Sequence, residues 1–228
     1  MIRDLTWSPD GRVGILLGPN GAGKSTLLRL LVSAKSPTAG AVTCGELTLP
    51  GSGSTLKQWR RRVGWVPQHI QPIPMMTTRE QAAYAGWLKG MNRRDAERSA
   101  MTALERVGLT SKADEGASTL SGGQLRRLGI AAALVHDCAV VVMDEPTAGL
   151  DPHQRRRLHR LIAEMSDVEW LISTHQTEDL SLLEATVSVM TSGRITYQGS
   201  CDDFLALGDD EGSDRARAAY ESLVGQED

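Results

Sequence analysis

Continuous apolar runs alternate along the chain with segments whose apolar positions recur every three or four residues. Val13 to Leu17 is a continuous apolar run, as expected of a strand covered on both faces. Leu27, Leu28, Leu30 and Leu31 follow at helical spacing, and Pro37 and Gly40 stop that helix. Residues 1–10 read as the end of a strand and a turn, with Pro9-Asp10-Gly11 as the turn chemistry. Ala41 to Leu49 alternates like one or two short strands, and Gly51-Ser52-Gly53-Ser54 reads as a flexible connection. Trp59 to Arg62 is basic and reads as a solvated helix face; Val63 to Val66 is a second buried strand, ended by Pro67. From about Gln71 to Thr119 the texture turns helical. Thr77 and Glu80 form a capping box, Tyr84, Trp87 and Leu88 follow at a spacing that predicts core packing, and Met101, Leu104 and Val107 make another stripe ended by Gly108.

The α/β texture then returns. Ala139 to Met143 is a β-branched run suited to a central parallel strand, and Leu158, Leu161, Ile162 and Met165 line one face of a helix. Trp170 to Ser173 is the next strand; Val187 to Met190 and Arg194 to Gln198 pair as a hairpin across Ser192-Gly193. The acidic, Ala-rich tail reads as a final helix with a frayed end. The pattern predicts an α/β core with a small antiparallel β portion and an inserted helical lobe.

Composition narrows the class. The chain has 228 residues, enough for a sizeable core, and a formal net charge of −3, which gives no reason to expect nucleic-acid binding. Phe occurs once and aromatics make up 4%, so aliphatic side chains must fill the interior. Cys44, Cys138 and Cys201 lie far apart without metal-ligand spacing, which fits a reduced compartment and small buried hydrophobes. No apolar run reaches the ~18 residues needed to cross a bilayer, and Met1-Ile2-Arg3-Asp4 lacks the apolar segment of a secretory signal. A chain that is soluble alone would need another chain to supply any membrane part.

Three stretches carry chemistry. Gly18-Pro19-Asn20-Gly21-Ala22-Gly23-Lys24-Ser25-Thr26 lies between a strand and a helix, the context that makes this motif a phosphate loop. Its glycines let successive N–H groups point into one hollow, and the helix start adds its positive dipole end. Lys24 supplies a cation for the β- and γ-phosphates, and Ser25 a hydroxyl for Mg²⁺. Asp144-Glu145 ends a buried strand, where Asp144 can hold Mg²⁺ and Glu145 can polarise a water for in-line attack. Leu120-Ser121-Gly122-Gly123-Gln124 satisfies a capping pattern, but two consecutive glycines, each costing ~1 kcal/mol in a helix, suit close approach of an anion. Since one cradle already exists, the second fits a nucleotide held by a neighbouring subunit.

In that order these motifs resemble the nucleotide-binding domain of ATP-binding cassette (ABC) ATPases, over roughly Leu5 to Gly199. The resemblance implies a P-loop NTPase (RecA-like) core over residues 1–70 and 129–205, a helical signature subdomain over 71–128 and a C-terminal tail over 206–228. It implies ATP and Mg²⁺ as cofactors, with Ser25, Gln68 and Asp144 at the metal. Glu145 matches the catalytic carboxylate, His175 the switch histidine at the γ-phosphate, and Gln68 the mobile glutamine that contacts Mg²⁺ or the attacking water. Asp151, in Ala148-Gly149-Leu150-Asp151, matches the loop that faces the other subunit. The partners implied are a second nucleotide-binding subunit and separate transmembrane permease subunits, docked near Gln68 and the helical lobe. The location implied is cytoplasmic, peripheral on the inner face of the cell membrane.

Family members usually carry an adenine-stacking aromatic some way before the phosphate loop. Here Trp7 is the only aromatic before Gly18 and aligns with a core strand position. A misplaced start, a truncation and a real loss would each account for that. The function implied is an ATP-hydrolysing subunit that powers a membrane transporter, with an exporter lean from Arg126 to Ala131 and Ala148 to Pro152. The alternatives are a soluble ABC ATPase of cluster assembly, translation or repair, and a generic phosphate-loop kinase or GTPase, which leaves Leu120 to Gln124 and His175 unexplained.

Overall fold

The computed structural model describes residues 2, 5–182, 184–208 and 215–224. Its centre is a six-stranded sheet in the order β4-β5-β6-β1-β7-β8. The strands are β1 (Val13–Leu17), β4 (Val63–Val66), β5 (Val140–Asp144), β6 (Glu169–Thr174), β7 (Thr186–Thr191) and β8 (Arg194–Ser200). All neighbours are parallel except β7 and β8, the expected hairpin, which carries an irregularity between Val189 and Met190. A second sheet is the antiparallel pair β2 (Val42–Cys44) and β3 (Leu47–Leu49).

Period-two alternation divides the interior into two apolar layers. Val13, Ile15, Leu17, Val141, Met143, Trp170 and Ile172 face one layer, shared with α5 (Gly122–Leu134) and α6 (Pro152–Glu164). Leu16, Val142 and Leu171 face the other, shared with α1 (Lys24–Leu31) and α2 (Gly53–Arg62). Continuous apolar strands are therefore required, because each face is covered. The helical segment is α3 (Thr78–Leu88), α4 (Arg93–Arg106) and the start of α5, and α5 also packs on β4. Short helices α7 (Cys201–Leu205) and α8 (Arg215–Val224) follow β8, so a tail helix is present; residues 209–214 and 225–228 lie outside the described residues.

Several local expectations are corrected. Tyr84, Trp87 and Leu88 are exposed rather than core. The buried side of α3 is Thr78, Gln81, Ala82, Ala83 and Gly86 instead, because α3 lies close against its neighbours: a Cβ on Gly86 would stand 2.4 Å from Val135 Cγ1. The tyrosine and tryptophan rings stack on each other at the surface, 5.7 Å apart. Gly51 to Ser54 is not a free connection, since Ser52 caps α2 by accepting from the Thr55 amide. Trp59 is not on the solvated face; it is fully buried and donates to the Leu31 carbonyl at 2.7 Å, while Arg60 to Arg62 are exposed. Helix α1 ends at Leu31, well before Pro37, with Ser33 at a left-handed φ of 57°. Trp7 stands outside any strand, where its indole donates to Ser188 Oγ of β7 at 2.9 Å. Of the cysteines only Cys138 is fully buried, and burial pushes its thiol up to about 11.

Candidate active site

The parallel strands end on one edge of the sheet. Gly18 follows β1, Gln68 follows β4 by two residues, Asp144 and Glu145 end and follow β5, and His175 follows β6. The carboxyl ends of parallel strands are where an open α/β sheet binds its ligands.

The loop before α1 is shaped by its neighbours as well as by its glycines. A Cβ on Gly18 would meet the Met190 carbonyl oxygen at 2.2 Å, so no side chain fits there. Gly21 and Gly23 take left-handed φ values of 87° and 109°. The turn between β7 and β8 pins the loop, with the Gly193 amide donating to the Ala22 carbonyl at 2.8 Å. Lys24 is buried; its Nζ donates to the Gly18 and Pro19 carbonyls at 2.6 and 3.1 Å and lies 3.7 Å from Glu145 Oε1. Burial lowers the Lys24 ammonium, against the attraction of Glu145 and Asp144.

Asp144 and Glu145 are both buried. Asp144 Oδ1 accepts from Ser173 Oγ at 2.6 Å and from Ser25 Oγ at 3.4 Å. A serine hydroxyl and a carboxylate are hard oxygen donors, and Mg²⁺ suits few protein ligands supplemented by water and phosphate. Two oxygen donors leave the rest of the coordination to water and phosphate, so the donor set fits a metal that arrives with a nucleotide. Glu145 adopts a left-handed φ of 48°, unusual for a residue with a side chain. Its amide is held by the Ser173 carbonyl at 3.1 Å and the Ser173 hydroxyl at 3.2 Å. That backbone turns its carboxylate to Lys24 on one side and, through Oε2, to His175 Nδ1 at 2.7 Å on the other. Strained conformations of this kind persist where surrounding bonds impose them.

The sequence-predicted residues therefore fall into two groups. Lys24, Ser25, Asp144, Glu145 and His175 are joined by direct contacts. Gln68 is exposed at the same sheet edge, its backbone held by Arg126, whose guanidinium donates to the Pro67 and Gln68 carbonyls at 2.9 and 2.7 Å. Ser121 to Gln124 stand apart: no hydrogen bond or ion pair joins them to residues 18–26 among the described residues. Ser121 and Gln124 form the reciprocal capping box, with Ser121 N–Gln124 Oε1 at 2.8 Å and Gln124 N–Ser121 Oγ at 3.4 Å. The two glycines differ. A Cβ on Gly123 would meet Gln154 of α6 at 2.4 Å, whereas one on Gly122 would meet nothing. The atom met at Gly123 is the tip of a flexible side chain that can swing aside, so packing within this chain does not require glycine at either position, and Gly122 leaves open the helix start that an anion would use. Asp151 caps α6 by accepting from the Gln154 amide at 2.9 Å.

Sequence reasoning missed Ser173 and Arg126. Ser173 was legible only as the last residue of a strand, and Arg126 only as part of the Arg126 to Ala131 stretch; its contact with the loop at Gln68 was not legible.

The profile of the ABC transporter family matches residues 4–148. The chain belongs to that family. It is 41% identical over 210 residues to Nod factor export ATP-binding protein I of Bradyrhizobium diazoefficiens, covering 90% of this chain and 67% of that protein. It is 36% identical over 208 residues to a phosphonates import ATP-binding protein of Rhodopseudomonas palustris, covering 86% and 76%. Among solved structures, cbiO1 from Clostridium perfringens, part of an ABC transporter complex, superposes with a TM-score of 0.77 at 28% identity, over 86% of this chain and 79% of that one. A dimeric ABC cassette in a post-hydrolysis state with ADP and Pi shares the fold, with a TM-score of 0.75 at 24% identity over 88% and 90%. The P-loop fold and the ATP-hydrolysing ABC subunit class expected from the motifs both hold. No helix of the described residues is long and apolar enough to cross a membrane.

Proposed function

We propose that this ABC ATPase drives export through separate transmembrane subunits, as one of two cassettes that share their nucleotides. The observation that carries the reading is the separation within one chain of two phosphate-binding devices. Residues 18–26 converge with Asp144, Glu145 and His175, while the helix start at Ser121 to Gln124 shares no bond with them among the described residues. The second device then serves the nucleotide of the other copy, and Asp151 faces that copy beside it. Residues 1–70 and 129–205 form the catalytic core of this reading, and 71–128 the subdomain that presents Ser121.

Lys24 binds the β- and γ-phosphates, and the amides of the loop cradle them. Ser25, Asp144 and Gln68 would hold Mg²⁺, which neutralises developing charge on the phosphates when bound. Glu145 orients and deprotonates the attacking water, and His175, 2.7 Å from Glu145, contacts the γ-phosphate. A triphosphate competes with Glu145 for Lys24, so nucleotide entry frees the carboxylate for water. Closure of the two copies depends on the γ-phosphate, and hydrolysis releases it.

Export is supported by the Nod factor export relative, which matches over more of the chain and at higher identity than the phosphonates importer. The exposed Tyr84–Trp87 stack and Leu88 on α3 supply apolar surface where a permease would dock. The protein would then sit on the cytoplasmic face of the membrane. Affinity isolation from native membranes tests this reading. A co-purifying multi-span protein that raises ATP turnover is expected, and a purely soluble partner would overturn it.

A further inference from the structure

Beneath the Glu145–His175 pair lies a buried carboxylate that the mechanism above does not use. Asp179 follows β6 by five residues and is 1% exposed. One of its oxygens, Oδ2, accepts from Thr147 Oγ1 at 2.7 Å and from Thr174 Oγ1 at 2.9 Å. Thr147 is two residues past Glu145, and Thr174 immediately precedes His175; both threonines are buried. The other oxygen, Oδ1, faces α6, with His159 Nε2 at 3.3 Å and Arg155 Nε at 3.9 Å. Neither is an aligned hydrogen bond, so this side is held by charge and packing. Asp151, Arg155 and His159 stand four residues apart, on one stripe of α6. The helix that begins at the loop facing the second copy therefore ends its polar stripe on Asp179.

We infer that Asp179 is a positioning residue: it fixes the exits of β5 and β6 against each other and ties both to α6, so that Glu145 and His175 hold their mutual geometry. A single oxygen bridging two strand exits has few alternatives in a dry interior, where an unmade hydrogen bond is costly. Burial on its own would raise the carboxyl; the His159 contact and the two threonine hydroxyls outweigh it and hold Asp179 below its ordinary value. It is thus a charged group at neutral pH, its Oδ2 doubly hydrogen-bonded and its Oδ1 facing Arg155 and His159 of α6.

The inference rests on Glu145 and His175 being the reacting pair, and a Glu145→Gln control keeps the two ideas separable. Steady-state kcat, ATP Kd and melting temperature are measured for Asp179→Ala, Asp179→Asn, Thr147→Val and Thr174→Val. Positioning predicts at least a tenfold fall in kcat for Asp179→Ala with Kd within about twofold. It predicts substantial recovery in Asp179→Asn, whose amide oxygen still accepts from both hydroxyls. Thr147→Val should lose about threefold or more, and should lose nothing further on the Asp179→Ala background. Should Asp179→Ala not fold, the two threonine variants decide by the same split between kcat and Kd. Unchanged kcat in these variants, or kcat and affinity falling together in step with melting temperature, overturns the inference. If Glu145→Gln itself turns over normally, the assignment of the reacting pair falls instead.

Discussion

Replacing Glu145 with Gln changes one charge and almost no volume, which makes it the most informative perturbation of the site. The side chain is about nine-tenths buried and stands 3.7 Å from Lys24 Nζ and 2.7 Å from His175 Nδ1. At an effective dielectric of about 20, the attraction to Lys24 is roughly 4 to 5 kcal/mol before the desolvation of both groups is subtracted. Losing it frees Lys24 for phosphate, so ATP affinity should stay the same or rise. The chemical step should suffer: a positioned general base contributes about a hundred- to ten-thousand-fold, or roughly 3 to 5 kcal/mol of barrier. The assay pairs phosphate release with equilibrium binding of a fluorescent ATP analogue. A variant whose kcat stays within tenfold of native, or whose ATP affinity falls in parallel with kcat, would refute the role given to this carboxylate.

Ser121→Arg fills the open helix start and should abolish turnover while the isolated monomer binds ATP as before; loss of monomer binding would mean that the stretch acts within its own chain. Trp59→Ala removes a fully buried ring and leaves the Leu31 carbonyl without its donor, at a cost of about 3 to 5 kcal/mol, which thermal melting should read as a drop of roughly 6 to 20 °C. Burial, with Lys89 and Arg61 nearby, lowers His136 to about 4. Between about 6.5 and 4 the unfolded chain takes up a proton that folded His136 refuses, so stability falls across that window as pH drops, by roughly 3 kcal/mol in all. His136→Gln should flatten that part of the melting-temperature profile, and an unchanged slope would place the acid sensitivity elsewhere.

The central strands β1, β5 and β6 were legible because each is covered on both faces, which suits continuous apolar runs such as Val140 to Met143. The loop at Gly18 and the acids at Asp144 and Glu145 were legible because phosphate and metal chemistry demand those residue types beside a strand end. Patterns failed where packing, not polarity, set the outcome. On α3 the large apolar residues face out, since the buried side is close-packed: a Cβ on Gly86 would already clash with Val135 at the end of α5. Trp59 hides among arginines because α2 turns one ring inward while its neighbours stay in water. Asp179 is invisible as a lone acid, since its partners Thr147, Thr174 and His159 come from three separate segments that meet only in the folded chain.

A shared active centre is the central claim, and the dependence of ATP turnover on protein concentration tests it most directly. If Ser121 to Gln124 of one copy complete the site formed by Lys24, Glu145 and His175 of another, specific activity must fall toward zero as the protein is diluted at saturating ATP. Specific activity that stays constant down to the lowest measurable concentration would contradict the account.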